Sequence, residues 1–268
     1  PTGTLSGVVR SSVGGTPLSG VTITLLASPL STTTGVNGAY SIAGVPIGSY
    51  TAEAALFGYG SNSATVDIAP SQNTPRDFTL RPSVLADNAE TNQGWSLGVS
   101  GDNATAGVWG RADPQGTGSG VVQPEDDHTP APGVTCFVTG NCPSNIPGCG
   151  TGDNDVDGGK TTLMSPVLNL QGQTGATLIY YRWYSNNSGA NPGQDIFQVD
   201  VSSNNGTSWV QLEGLIDTKN FWEKKSFPLA NYIQLTNQVK IRFIAQDTGG
   251  GSVVEAAVDD IEVTLPPP

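Results

Sequence analysis

The stretch Ala176-Thr-Leu-Ile-Tyr-Tyr-Arg-Trp-Tyr184 is the densest run of aromatic and β-branched residues in the chain. That composition suits a pleated, half-buried surface. Downstream, Asp195-Ile-Phe-Gln-Val-Asp-Val201 and Trp209-Val-Gln-Leu212 flank a turn containing Asn204-Asn205-Gly206. Asn-Gly supplies the positive φ angles a tight hairpin needs. Phe197, Val199 and Val201 alternate with Gln198 and Asp200, so one face should pack while the other meets water. Val239-Lys-Ile-Arg-Phe-Ile-Ala245 and Val258-Asp-Asp-Ile-Glu-Val263 read as the neighbouring strands. The expected result is the core of an antiparallel β-sandwich.

Composition points the same way outside this core. The 268 residues, with 35 Gly and 19 Pro, allow two all-β domains of short strands and many turns. Only 13% of residues are charged, yet the formal net charge is −12. Such an excess of carboxylates argues against nucleic acid, whose phosphates need Lys and Arg, and against anionic membrane surfaces. It suits calcium binding, or solubility in an extracellular medium. No run of about 18 apolar residues exists, so no membrane insertion is expected. The chain opens at Pro1 without a signal peptide and closes on Pro266-Pro-Pro268. We expect a mature piece of a longer secreted or cell-surface bacterial protein.

Three cysteines leave one over. Cys142 and Cys149 flank a short Pro/Gly-rich loop that a disulfide can close, and an extracellular setting favours that bridge. Cys136, in Thr135-Cys-Phe-Val138, reads as a strand residue packed as a small hydrophobe.

Residues 3–80 read as a self-contained unit of short, regularly spaced strands. Its motifs are Gly7 to Val9, Pro17 to Ile23, Thr34 to Ile42 with an Asn37-Gly38 turn, Val45 to Tyr50, and Phe57 to Tyr59. This order resembles the carboxypeptidase regulatory-like, or transthyretin-like, domain. The resemblance implies a seven-stranded sandwich without catalytic residues, and we assign it to residues 1–82. Tyr40 and Tyr50 fit core packing better than a sugar platform.

The second domain, residues 83–268, opens with Asp87-Asn-Ala-Glu90 ahead of Gly94-Trp95 and closes with Ala257-Val-Asp-Asp-Ile-Glu-Val263. These ends resemble jelly rolls of the MAM and carbohydrate-binding-module type. That resemblance implies first and last strands side by side with a structural calcium between them. Glu90 and Asp259 are the expected ligands, with Asp87 and Asp260 as alternates. The segments Gly107 to Pro114, Glu125 to Pro130, Phe137 to Gly140, Asp155 to Gly159 and Val254 to Ile261 also resemble the accessory region of secreted bacterial metallopeptidases.

Asp153-Asn-Asp-Val-Asp-Gly158 matches the first half of a calcium loop, with carboxylates at alternate positions before a glycine bend. The position for a bidentate Glu is Met164, so this is no EF-hand. Asp153, Asp155 and Asp157 would need further oxygens, and Glu125, Asp126 and Asp127 are the expected suppliers. The competing reading is a solvated acidic loop.

Catalysis has little to build on. A Ser-His-Asp or Cys-His arrangement, or a zinc peptidase, would have to rely on His128, the one histidine. An acid/base pair for glycoside hydrolysis is not distinguishable among 23 acids. Trp222, in Asn220-Phe-Trp-Glu-Lys-Lys225, is the best candidate for an exposed, ligand-binding ring; Trp183 reads as core. The expected function is a non-catalytic accessory or structural segment stabilised by Ca2+, with other protein subunits or glycans as partners. The alternatives are a carbohydrate- or glycoprotein-binding module and a subunit of an extracellular filament.

Overall fold

The computed structural model describes residues 1–118, 121–142 and 149–268. It divides into two compact units, Pro1–Val84 with Thr264–Pro268, and Leu85–Val263. Both are all-β, as the alternation predicts.

The first unit contains β1 (Thr2–Ser11), β2 (Thr22–Leu25), β3 (Ser31–Thr33), β4 (Ala39–Pro46), β5 (Gly48–Ala55), β6 (Tyr59–Gly60), β7 (Asn62–Ile68), β8 (Asn73–Pro75) and β9 (Phe78–Pro82). One sheet runs β4-β1-β9-β6 with β8 also on β1; the other runs β3-β2-β5-β7. These nine strands among the described residues exceed the expected seven, because the two- and three-residue segments β6 and β8 pair separately. Leu5, Val9, Ile23, Leu25, Ile42, Val66, Phe78 and Leu80 form the shared core. Glycine is required at position 7, where a Cβ would lie 1.8 Å from the Arg76 carbonyl oxygen. The Tyr40 hydroxyl donates to that same oxygen at 2.6 Å, and the ring packs against Phe78. Burial, and then the charge of Asp77, push the Tyr40 hydroxyl up to about 12. Tyr50 donates to the Pro46 carbonyl at 3.1 Å. Both tyrosines therefore serve the fold.

The second unit contains β10 (Leu85–Asp87), β11 (Ser96–Leu97), β12 (Trp109–Ala112), β13 (Cys136–Thr139), β14 (Gly159–Met164), β15 (Thr177–Gly189), β16 (Phe197–Ser202), β17 (Val210–Leu215), β18 (Lys219–Pro228), β19 (Lys240–Asp247) and β20 (Ser252–Thr264). One sheet runs β12-β13-β20-β15-β18 with β10 on β20; the other runs β11-β14-β19-β16-β17. First and last strands of the unit do lie side by side: Leu85 faces Val263 and Asp87 faces Ile261, antiparallel. Between the sheets, Phe243 meets Tyr180, Phe197 and Trp95 at ring-centroid distances of 5.0, 6.5 and 6.0 Å. Offset and edge-on aromatic contacts of this kind add to the area they bury.

The hairpin forms as its turn predicts. β16 and β17 pair from Phe197↔Leu215 to Val201↔Val210, and Asn205 and Gly206 take φ of 56° and 86°. Its outer face, however, does not simply meet water. Asp200 is buried, its Oδ2 2.7 Å from Arg242 Nη2, and the Arg242 guanidinium lies 4.1 Å from the Trp209 ring centroid. A cation capped by carboxylate and indole seals that face, a cross-strand effect that alternation alone does not report.

Strand β15 carries an ionic core. Arg182 is 1% exposed, donates from Nε and Nη2 to Glu213 Oε1 at 3.0 and 2.8 Å, and lies 2.8 Å from Glu223. The Tyr180 hydroxyl donates to Glu213 Oε2 at 2.6 Å. Burial alone would raise the Glu213 carboxyl, but these hydrogen bonds and the charges of Arg182 and Lys225 outweigh it and hold the group below its usual range.

Candidate functional site: acidic clusters around the first and last strands

The positive φ of Asp260, 46°, breaks the alternation of β20 at its acidic step. Asp259 and Asp260 consequently both address the segment 128–129 that runs alongside. Asp259 Oδ2 accepts from the backbone N–H groups of His128 and Thr129 at 2.9 and 3.1 Å, and its Oδ1 accepts from the Asp260 N–H at 2.8 Å. Asp260 Oδ2 sits 2.6 Å from His128 Nδ1, and Asp260 Oδ1 accepts from the Thr129 hydroxyl at 2.9 Å. Burial, then Asp260, push the Asp259 carboxyl up to about 7.

Glu90 reaches the other end of the same loop, where its Oε1 accepts from the N–H groups of Val134 and Thr135, both at 2.8 Å. The expected pair Glu90 and Asp259 is thus brought to one loop, residues 128–135. Asp127 joins this group rather than the Asp153–Asp157 loop it was expected to supply. Its carboxyl is raised by burial and then by Glu90, Asp260 and Asp126, and its Oδ2 is buried without a hydrogen-bond partner. Asp87 turns elsewhere. It is buried, accepts from Ala89 N–H at 2.8 Å and from Trp95 Nε1 at 2.7 Å, and so clamps the core indole. Asp126 is exposed, and Glu125 accepts from Gly116 N–H at 3.0 Å.

The second acidic stretch opens out. Asp153 is exposed and accepts from Gly150 N–H at 2.7 Å. Asp157 is exposed. Asp155 is buried with Val254 N–H 3.3 Å from its Oδ2, its carboxyl pushed up to about 6 by burial and then by Asp157. Among the described residues no three His, Cys, Asp or Glu side chains form a ready-made metal group. Sequence spacing placed these acids in one loop; it did not show that the loop's own N–H groups take Asp153.

The histidine is anchored through Nδ1 and its ring face. Its ring stacks on Tyr181 with centroids 3.5 Å apart and meets Trp222 edge-on at 6.1 Å. Trp222 is half-buried and donates from Nε1 to the Asp126 carbonyl at 3.1 Å; it packs on a cluster of Cys136, Val138, Trp183 and Ala257. Trp222 is therefore less open than expected, and the exposed ring in that segment is its neighbour Phe221, 53% exposed. Trp183 is core, as expected, with its Nε1 donating to the Val122 carbonyl at 2.9 Å. Strand alternation assigns opposite faces to Phe221 and Trp222, but sequence does not say which face the 126–128 loop covers.

Cys142 and Cys149 form a disulfide, and Cys136 is a buried free thiol; residues 143–148 between the bridged pair lie outside the described residues. Burial, then Asp259, push the Cys136 thiol well up. Iodoacetamide should thus leave the native protein unlabelled, label one thiol after unfolding, and label three after unfolding with reduction, as read by intact mass. A native protein that takes up one label at neutral pH would contradict the buried assignment.

Residues 4–81 match the family model of the carboxypeptidase regulatory-like domain, as their motifs predict. No curated protein matches the chain. Similar solved structures include a type II cohesin–X-dockerin complex from Acetivibrio cellulolyticus, at 20% identity over 31% of this chain and 60% of that one, TM-score 0.28. In a second complex of that kind the chain spans 51% of the other's length. A cleaved adhesin domain of Lys-gingipain from Porphyromonas gingivalis is 16% identical over 68% of this chain and 98% of that one, TM-score 0.40. The N-terminal modules of a Clostridium thermocellum endo-1,4-β-D-xylanase, complexed with xylohexaose, are 15% identical over 69% of this chain and 28% of that one, TM-score 0.37.

Proposed function

We propose that this chain is a non-catalytic segment of a secreted or cell-surface protein that serves binding or assembly, with its second unit stabilised by calcium. The observation that carries the non-catalytic reading is the commitment of His128: Nδ1 faces Asp260 at 2.6 Å and the ring is stacked on Tyr181. An orienting carboxylate on Nδ1 is compatible with a general base, but such a base also needs a nucleophile at its other nitrogen. Among the described residues no serine, threonine or cysteine hydrogen-bonds His128 Nε2, and the ring ties a loop to the last strand. The Cys142–Cys149 disulfide supports secretion, because such bonds persist in oxidising compartments.

Calcium is supported by Asp127 Oδ2, buried and unpartnered beside Glu90 and Asp260. Glu90 and Asp127 would hold the ion, with loop carbonyls and water completing an oxygen shell. Asp259 and Asp260 hold the loop in place around it.

The test is a melting experiment combined with an activity screen. EDTA should lower the transition of the second unit and leave that of the first nearly unchanged, since a ligand of the folded state alone adds stability. Asp127→Asn should reproduce much of the loss with calcium present. Turnover of peptide or glycoside substrates that a point change in this chain abolishes would overturn the non-catalytic reading. Glycan-array binding would shift the reading to a carbohydrate-binding module, and concentration-dependent filaments to a subunit of an assembly.

A further inference from the structure

A second group of acids lies at strand ends of the second unit, where Asp247 is the register partner of Gly159, next to the Asp153–Asp157 stretch. Asp195 precedes β16 and Asp247 closes β19; they are 1% and 4% exposed. Each carboxylate has one oxygen held by the backbone. Asp195 Oδ1 accepts from the Thr248 N–H at 2.9 Å, which places it beside Asp247, and Asp247 accepts from the N–H of Gly249. The other oxygen of each, Asp195 Oδ2 and Asp247 Oδ1, is buried with no hydrogen-bond partner.

Asn186, 1% exposed, completes the group. Its Nδ2 donates to the Asp195 carbonyl at 2.8 Å, and its Oδ1 makes no hydrogen bond. All three residues crowd the Tyr184 hydroxyl, whose ionisation is opposed by burial, then by Asp195 and Asp247, and eased by Asn186. Yet that hydroxyl donates to none of them at bonding distance. Asp195, Asp247 and Asn186 each keep one buried side-chain oxygen that no donor reaches, and the Tyr184 hydroxyl beside them is likewise unpartnered.

No described Lys, Arg or His forms an ion pair with Asp195 or Asp247. The exposed Asp157 adds to the negative field at Asp247. Two buried carboxylates that share a site repel each other and must either take up a proton or hold a cation. The available donors are oxygens alone, which selects a hard cation. A site of two carboxylates and one amide oxygen without a rigid octahedral cage suits the adaptable shell that calcium accepts and magnesium resists. On its other side Asn186 lines a cleft of about 330 Å³ with Asn187, Gly193, Ile216, Asp217 and Thr218.

We propose that Asp195, Asp247 and Asn186 form a calcium site, separate from the one at Glu90 and Asp127. Bound there, the ion ties the start of β16 to the end of β19 and to β15 through Asn186. The experiment is calorimetric titration of the chelator-treated full chain with calcium. The native chain should bind one more equivalent than the Asp195→Asn/Asp247→Asn variant, whereas Asp127→Asn should retain this equivalent. Without calcium the double variant should melt higher than the native chain, because it removes two buried like charges. Terbium emission excited through tyrosine should fall severalfold in Tyr184→Phe, whose calcium stoichiometry should match that of the native chain. Equal stoichiometry in the native chain and the double variant would overturn the site, and so would a native chain that binds no calcium. An Asp127→Asn variant that binds as many equivalents as the native chain would overturn the other site and leave this one standing.

Discussion

Replacing Arg182 with alanine should destabilise the second unit by about 3–5 kcal/mol, the usual cost of leaving a buried charge without its partner. For a domain of this size that is a fall in melting temperature of roughly 6–20 °C. Arg182 supplies two hydrogen bonds to Glu213 and an ion pair to Glu223, and Glu213 keeps only the Tyr180 hydroxyl and Lys225, 3.4 Å away. The sign with pH follows from the lowered Glu213 carboxyl. A depressed carboxylate stabilises the fold above its unfolded pKa of about 4.5 and loses that contribution as the pH falls through the folded value. The alanine variant should therefore lose less on acidification below that point than the native protein does. Arg182→Met with Glu213→Leu should recover most of the loss, since apolar replacement of both partners removes the stranded charge. Urea unfolding of the three proteins at pH 7 decides it: a cost under about 1 kcal/mol for Arg182→Ala would mean the network contributes no more than a surface pair.

Acidifying the calcium-free protein from pH 7.5 to about 5 should make the second unit more stable. Asp259 rises from 3.8 to about 7 through burial and then Asp260. Asp155 rises to about 6, and burial raises Glu255 well above 4.5. For a carboxyl whose folded pKa is raised, the folded state binds more protons, so the contribution is complete below the unfolded pKa and vanishes as pH climbs through the folded one. Asp259 alone, shifted by about three units, accounts for a change on the order of 4 kcal/mol between pH 4 and pH 7. Below about 4.5 the loss at Glu213 opposes the gain, so the rise in stability should flatten there. Calcium should flatten the curve. A curve that is flat, or that rises with pH in the absence of calcium, would refute the raised carboxyls. The first unit is the internal control.

Much of this architecture was legible because its causes are local. The Asn205-Gly206 turn and the Phe197, Val199, Val201 alternation specify a hairpin wherever they occur, and the hairpin formed. The destination of a carboxylate is not local. Asp259 meets His128 across 131 positions of sequence, and Glu90 meets Val134 across 44; resemblance at the two ends of the domain, rather than spacing, pointed to them. The Asp153–Asp157 run was conspicuous as a string, whereas Asp195 and Asp247 were isolated acids at strand ends with no motif around them. Burial, which only the fold assigns, separates the two cases: Asp153 and Asp157 are exposed, while Asp195 and Asp247 are buried. Asp200 shows the same limit, since its period-two position predicted water and its neighbours Arg242 and Trp209 cover it.

The pairing of β10 with β20 sets how the second unit would respond to tension. Leu85 and Val263, its entry and exit, are register partners at the open end of one antiparallel pair. Antiparallel hydrogen bonds lie across the strand direction, so a pull applied through these two residues loads them one after another. Opposed pulling at such a mouth peels strands apart like a zipper instead of shearing a whole ladder at once. The 128–135 loop, pinned by Glu90 on one side and by Asp259 and Asp260 on the other, then acts as the latch. Its release, not the breaking of the first few backbone bonds, would set the force at which the unit yields.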